Sequence, residues 1–138
     1  MSKEPRRNAR LLMDKALHII MGSIGSDVRY DLETKDVTSK GFFLESKTPG
    51  RFPFTTSSIV EVWLEIEPGN TVFFNGKISR ILLPEEAESL GEPSGIAIRV
   101  IQIEPEEEKK FGDFLNKKLD QMEEAEDRNA SDQTRNVA

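Results

Sequence analysis

The chain contains no cysteine and only one histidine, His18. Without thiols it can form neither disulfide bonds nor thiolate metal sites. A single imidazole excludes most zinc sites, which draw on several histidines or cysteines, and it disfavours a catalytic Ser-His pair. His18 stands in the apolar run 16–20, so we predict a structural histidine on a strand and no metal site.

Long apolar runs are also missing. No stretch approaches the roughly 18 residues that a membrane-spanning helix needs. The opening residues MSKEPRR lack the apolar core of a secretory signal peptide. The sequence therefore predicts a cytoplasmic protein without membrane insertion.

Basic residues are outnumbered, with 19 Lys and Arg against 25 Asp and Glu and a formal net charge of −6 in 138 residues. A protein that grips a long nucleic-acid backbone must neutralise many phosphates at once, and RNA-binding modules add an aromatic and basic platform that this chain lacks. We therefore expect no nucleic-acid partner. The net charge does not exclude a small anionic ligand held by a local basic cluster.

The periodicity of the chain is mostly that of β-strands in a single domain. Residues 58–67 show it best, because Val60, Val62, Leu64 and Ile66 alternate with polar residues or Trp63. Residues 11–22 fit a helix or a strand equally well. Further strands are predicted at 28–38, 41–45, 71–83 and 95–103, and loops at 46–58 and 84–94.

The C-terminal part changes character. Pro105 followed by three glutamates is typical of a helix start, and an amphipathic stripe follows at Phe111, Phe114, Leu115, Leu119 and Met122. Residues 123–138 are polar without apolar periodicity and are predicted to be disordered. Five or six strands followed by one helix indicate a β-barrel or sandwich with a C-terminal amphipathic helix.

A basic cluster, Arg6, Arg7 and Arg10, lies near the start of this acidic chain. The spacing of Arg6 and Arg10 brings both side chains to one face of a helix or of an extended segment. Two guanidinium groups on one face can bind phosphate oxygens or the edge of a guanine. The simpler interpretation is a solvated basic arm.

A second informative stretch runs from Asp36 to Gly41, with the sequence DVTSKG. It fits an ordinary turn, in which Asp36 and Thr38 cap local amides and Gly41 takes a positive φ. It also fits a nucleotide site. Asp36 only accepts hydrogen bonds, guanine offers donors at N1 and N2, Thr38 can donate and accept, and Gly41 allows close backbone approach to a ligand.

Together the two stretches resemble the signatures of PilZ domains, the bacterial receptors for cyclic di-GMP (c-di-GMP). Residues 6–10 match RxxxR, and residues 36–41 match [D/N]xSxxG with Thr38 in the serine position. The strand 95–100, GIAIRV, is similar to the closing Gly-x-Gly-x-Arg-Phe strand of the family, with Ala97 and Val100 as departures.

The resemblance implies a six-stranded antiparallel β-barrel with a C-terminal α-helix. It divides the chain into a flexible N-terminal segment at 1–10, a barrel with its helix at 11–122, and the polar tail at 123–138. It also implies that Arg6, Arg10, Asp36, Thr38 and Gly41 bind c-di-GMP, with Arg7 as a further arginine of the cluster. Such a single-domain receptor needs no cofactor or metal and signals by a conformational change to a separate, unidentified partner protein.

Two other classes of function remain as alternatives. One is a nucleotide-independent PilZ-like adaptor that binds proteins through the apolar stripe of the helix, Trp63 or the acidic loop 85–92. The other is an enzyme, for which Glu85, Glu86 and the glutamates at 106–108 supply carboxylates but no companion base, nucleophile or metal ligand set. Such charge runs are usually solvated faces, so we expect no enzymatic activity.

Overall fold

The computed structural model describes residues 11–136. Arg6, Arg7 and Arg10 lie outside the described residues, so their predicted roles stay predictions. The six strands are β1 (Leu11–Ser23), β2 (Tyr30–Thr38), β3 (Gly41–Glu45), β4 (Ile59–Glu67), β5 (Asn70–Leu82) and β6 (Gly95–Gln102). The helices are a short 3₁₀ turn at Pro49–Arg51, α1 (Pro84–Leu90) and α2 (Pro105–Asn136).

The six strands form one closed barrel in the order β1-β2-β3-β6-β5-β4. Every neighbouring pair is antiparallel, and β1 closes the barrel by pairing with both β2 and β4. Closure gives each of these strands two neighbours in the sheet. The predicted six-stranded antiparallel barrel with a C-terminal helix is confirmed.

The barrel interior is filled by the inward side chains of the strands. In β4 the predicted alternation holds, because Val60, Val62 and Leu64 have no exposed surface and Ile66 is only 4% exposed. The intervening residues, Trp63 among them, are half-buried on the outer face. One contiguous apolar core therefore runs through the barrel.

Residues 11–22, whose sequence fitted a helix and a strand equally well, belong to strand β1. Its backbone is paired on both sides, and Ile19 and Met21 are completely buried between those neighbours. Helix propensities of less than 1 kcal/mol per residue do not compete with burial of this kind. The register of β1 against β2 shifts between Leu12 and Leu17, so the start of β1 contains a β-bulge or a similar irregularity.

The loop between β3 and β4 is anchored by aromatic rings. Phe54 is 5% exposed and Phe52 is half-buried against the core. Both rings meet Tyr30 edge-on, with centroids 5.3 Å and 5.5 Å from the tyrosine ring. The loop is therefore held to the barrel beside the start of β2.

The prediction of an acidic loop at 84–94 is wrong for its first half, which forms α1. Pro84 occupies the first turn, Glu85 and Glu86 follow it, and Gly91 ends the helix in the left-handed conformation with φ 66°. These are the same start signals that predicted α2 at Pro105. Ala87 is the buried contact of this short helix.

α2 packs its apolar stripe on the barrel. Phe111, Phe114 and Leu115 are each 3% exposed, and the Phe111 ring stacks on Phe74 with centroids 6.3 Å apart. The stripe ends at Leu119, because Met122 is 41% exposed.

Polar contacts hold the first turns of α2. The Glu107 carboxylate accepts a hydrogen bond from the Phe73 backbone N–H at 3.3 Å, and Lys110 Nζ donates to the Thr71 carbonyl at 2.9 Å. The beginning of α2 is thus joined to β5 by its polar and its apolar side chains.

α2 is longer than the sequence predicted. It extends past residue 122 to Asn136, where we expected a disordered tail. Residues 123–136 contain neither proline nor glycine and carry several residues with a high helix propensity, which explains why the helix can continue without an apolar stripe. The division of the chain into a barrel at 11–122 and two flanking segments stays a prediction.

Candidate functional site

The second sequence motif forms the β2–β3 hairpin. β2 ends at Thr38, the turn contains Ser39 and Lys40, and β3 begins at Gly41. Thr38 pairs with Gly41, and Asp36 pairs with Phe43. The structure therefore brings together three of the predicted site residues, Asp36, Thr38 and Gly41, on one hairpin of the barrel wall.

Asp36 and Thr38 lie on the outer face of that wall. Val37 between them is completely buried in the core, and side chains alternate along a strand. Both Asp36 and Thr38 are half-buried. An acceptor and a hydroxyl are thus presented side by side toward the outside of the barrel.

Thr34 lies where β2 changes face, two residues before Asp36. Thr34 and Val37 are both buried although they are three residues apart, so the strand changes face between them. The Thr34 hydroxyl donates to the Phe43 carbonyl at 2.6 Å and accepts from the Asp36 N–H at 3.2 Å. These hydrogen bonds satisfy the backbone where the regular pattern breaks.

Thr34 was not among the site residues predicted from the sequence. A buried threonine hydroxyl needs a hydrogen-bond partner, and this need was the signal in the sequence that Thr34 has a structural contact. The partner, the Phe43 carbonyl, lies on another strand and is therefore invisible in the sequence.

Thr38 caps the turn that it precedes. Its Oγ1 accepts a hydrogen bond from the Lys40 N–H at 3.1 Å and lies 3.5 Å from the Gly41 carbonyl oxygen. The turn interpretation of this residue is therefore confirmed. The hydroxyl donates to the Gly41 carbonyl and keeps one lone pair for a further hydrogen bond, so capping and ligand contact are compatible.

Gly41 is required by the neighbouring strand. A Cβ built on it would lie 1.9 Å from the Ile98 carbonyl oxygen, and its φ is 156°. Gly41 pairs with Arg99 of β6, and next to it the Val100 N–H donates to the Lys40 carbonyl at 2.7 Å. The close approach that we expected toward a ligand is made to the backbone of β6.

The cross-strand register places basic residues beside this hairpin. Thr38 of β2 pairs with Gly41 of β3, Gly41 with Arg99 of β6, and Arg99 with Lys77 of β5. Arg99 and Lys77 are both exposed. Neither residue was predicted to bind a ligand, since register between distant strands is not visible in one sequence.

The start of β1 lies against the same hairpin. Leu11 pairs with Val37 and Leu12 pairs with Asp36. Arg10 precedes Leu11 directly in the chain. The described part of the chain therefore begins alongside the second motif.

Trp63 lies on another part of the barrel wall. Its ring is 5.2 Å from that of Phe73 on β5, and the Arg29 guanidinium carbon lies 5.0 Å above it. Arg29 Nη2 also lies 3.5 Å from Glu61 Oε1. Trp63 thus covers the outer face of β4 and β5.

Two further predictions concern His18 and metal ions. His18 is a half-exposed strand histidine whose ring contacts the Asp31 carboxylate, as predicted. Within residues 11–136 no group of three or more His, Asp and Glu side chains is arranged to hold a metal ion. In the same part of the chain, no helix combines the length and apolar character required to cross a membrane.

Comparison with solved structures finds the same fold in two larger proteins. The inhibitor of motility of Bacillus subtilis (MotI/DgrA) superimposes with a TM-score of 0.59 and 11% identity, over 85% of this chain and 53% of that one. MrkH of K. pneumonia, solved as a complex with c-di-GMP, superimposes with a TM-score of 0.62 and 18% identity, over 90% of this chain and 54% of that one.

These identities show a shared fold and no more. The chain spans about half the length of each of the two structures. No protein-family model and no curated protein sequence matches it.

Proposed function

We propose that this protein is a PilZ-type receptor for c-di-GMP that signals to a separate partner protein. Three observations support the proposal. Both sequence motifs are present in the family's order, the fold is shared with a protein solved in complex with c-di-GMP, and Asp36 and Thr38 stand on the outer barrel wall.

The observation that carries the proposal is the pairing at the start of β1. Leu12 lies opposite Asp36, and Arg10 stands two residues before Leu12 in the chain. Consecutive Cα atoms are about 3.8 Å apart, so the chain that carries the arginines enters β1 beside the second motif, with Arg10 at most about 8 Å from the Cα of Leu12. A ligand on the hairpin would be within reach of both motifs.

In this proposal the arginines and the hairpin residues bind different groups of the nucleotide. Arg6 and Arg10, helped by Arg7, supply forked donors for phosphate and for the O6 and N7 acceptors of guanine. Asp36 supplies an acceptor for the N1 and N2 donors on the opposite guanine edge, and Thr38 adds a hydroxyl. Gly41 holds the hairpin against β6.

The proposed function is binding without catalysis. Glu85 and Glu86 are exposed on α1, and Glu107 is engaged with the Phe73 N–H and with Lys110. These carboxylates stand on α1 and α2, whereas the second motif stands on β2 and β3. A receptor of this kind would require no cofactor and would act where the bacterial second messenger is present, in the cytoplasm.

The output in this proposal is closure of the arginine segment over the nucleotide. Closure would change the surface beside β1 and β2, which a partner protein could recognise. The nucleotide-independent adaptor is less well supported, because the stripe that it would use packs on the barrel at Phe111, Phe114 and Leu115 and Trp63 covers its own barrel.

Calorimetric titration with c-di-GMP tests the proposal. We expect saturable binding by the wild type and a loss of about a hundredfold or more in Arg6→Ala/Arg10→Ala, since each charge-assisted hydrogen bond contributes about 1.5–3 kcal/mol. Arg51→Ala/Arg135→Ala removes the same charge elsewhere and should bind like the wild type. Absence of wild-type binding at high micromolar ligand would overturn the proposal.

A further inference from the structure

We infer that Lys77 and Arg99 extend the ligand site across β6 and β5 and bind phosphodiester oxygens of the nucleotide. The inference rests on the proposed function and adds two residues that neither sequence motif contains. It is drawn from the cross-strand register, from burial and from the charges on the outer wall.

The register aligns four positions across four adjacent strands. Thr38, Gly41, Arg99 and Lys77 follow one another on β2, β3, β6 and β5. Neighbouring strands lie about 4.8 Å apart, so the row is about 14 Å long. Asp36 stands beside this row, two residues before Thr38.

Both basic side chains are on the outer face with Thr38. Ile98 and Ile78, which adjoin Arg99 and Lys77 in their strands, are 2% and 0% exposed. Alternation along each strand then directs the neighbouring residues outward, and Arg99 and Lys77 are indeed exposed.

Arg99 and Lys77 form a cross-strand pair of like charge. Like charges directly opposite each other on a sheet destabilise it. Arg80 and Lys110, by contrast, each have a carboxylate partner, since Arg80 lies 3.1 Å from Glu92, and Lys110 lies 2.9 Å from Glu107. Among the described residues, no carboxylate lies within ion-pair distance of Lys77 or Arg99.

An anion above the pair would remove this repulsion. Among the described residues no carboxylate supplies that anion, although acidic residues outnumber basic ones in the whole chain. Arginine presents a planar fork to two phosphate oxygens, and lysine adds a compact positive charge. The pair is thus suited to one phosphodiester group.

Two small residues lie between the ends of the row and of its neighbour. Gly41 has no side chain, and in the next row Ala97 stands between Phe43 and Arg80. A flat nucleotide that reaches from Asp36 to the cations of β6 and β5 would contact the half-buried Phe43, which pairs with Asp36.

Titration of c-di-GMP against Lys77→Gln, Arg99→Gln and the double variant tests the inference. Exposed ion pairs contribute up to about 1 kcal/mol, so we expect each single variant to weaken binding about three- to fivefold. The dependence of affinity on salt should also become shallower in the double variant, because fewer charges are screened. Arg51→Gln/Lys109→Gln is the matched control and should leave both quantities unchanged.

A second measurement does not need the ligand. Removing either charge relieves the repulsion of the pair, so Lys77→Gln should raise the midpoint of thermal unfolding at low salt, and Lys77→Glu should raise it further while weakening binding most.

The outcomes separate this inference from the proposed function. Wild-type binding that is unaffected in the double variant overturns the inference and leaves the receptor proposal standing. If Asp36→Ala loses c-di-GMP binding while Lys77→Gln and Arg99→Gln keep it, the inference is likewise overturned and the receptor proposal stands. A wild type that does not bind c-di-GMP overturns both.

Discussion

At the scale of single residues, the candidate site depends on which face of β2 each side chain occupies. Val37 is buried, so Asp36 and Thr38 point outward together, and the hydroxyl of Thr34 stabilises the change of face before them. The acceptor and the hydroxyl are therefore positioned by packing on the opposite side of the same strand.

Asp36→Ala removes the acceptor that we assign to guanine. We expect c-di-GMP affinity to fall about tenfold to a hundredfold, the range for one hydrogen bond to a charged group. Calorimetry measures the change. Glu33→Ala, an exposed carboxylate on the same strand, serves as the control, and an equal loss there would argue against a specific role for Asp36.

Gly41→Ala should destabilise the barrel strongly. The added Cβ would lie 1.9 Å from the Ile98 carbonyl oxygen, so β3 must move away from β6, and we expect a loss of about 2–4 kcal/mol in the free energy of unfolding. Urea denaturation measures it. In Gly50→Ala the nearest atom is 3.9 Å away, and stability should change by less than about 0.5 kcal/mol.

Thr34→Val tests whether the buried hydroxyl orients Asp36. The shape is kept, but the Phe43 carbonyl and the Asp36 N–H lose their partner, which costs about 1–3 kcal/mol of folding stability. Because the backbone of Asp36 is then less well held, c-di-GMP affinity should fall as well. Unchanged affinity in a folded Thr34→Val protein would show that Thr34 only stabilises the fold.

At the scale of elements, local sequence patterns predicted some structures well and others not at all. The alternation of apolar residues was sufficient to predict β4, because one face of this strand is buried and the other is not. β1 could not be recognised from residues 11–22 alone, since its strand conformation comes from pairing with β2 and β4. The Pro-Glu-Glu start of α1 was readable, yet the following glycine and proline suggested a loop.

The same limit applies to the candidate site. Asp36, Thr38 and Gly41 could be predicted because their motif is contiguous in sequence. Arg99 and Lys77 could not, because they reach the hairpin only through the pairing of β3 with β6 and of β6 with β5.

The two halves of α2 should differ in their importance for stability. Removing residues 123–138 should change the free energy of unfolding by less than about 1 kcal/mol, since the buried stripe ends at Leu119 and Met122 is already exposed. Phe111→Ala, which opens a cavity beside Phe74, should cost about 3–5 kcal/mol. Thermal and urea unfolding compare the two, and a large loss on truncation would contradict the packing described.

At the scale of the whole molecule, the closed barrel separates its outer wall into two regions. β2, β3, β6 and β5 carry the row from Thr38 to Lys77, whereas Trp63 on β4 is packed between Phe73 and Arg29. Ligand binding and the single tryptophan are therefore assigned to different parts of the surface.

Amide hydrogen exchange should reveal this division. On addition of c-di-GMP we expect slower exchange in the β2–β3 hairpin and in the residues before β1, with little change in β4. Trp63 fluorescence should report unfolding and respond weakly to ligand. Protection concentrated around β4 instead would place the ligand elsewhere.

The pairing of Gly41 with Arg99 also has a consequence for biosynthesis. The two partners are far apart along the chain, and such non-local contacts are slow to form because a long loop must close first. The wall that we assign to the ligand is incomplete until β6 has been synthesised and docked between β3 and β5. A nascent chain that ends before β6 would carry both sequence motifs and still lack this part of the wall, so a receptor of the kind proposed would bind c-di-GMP only once its barrel had closed.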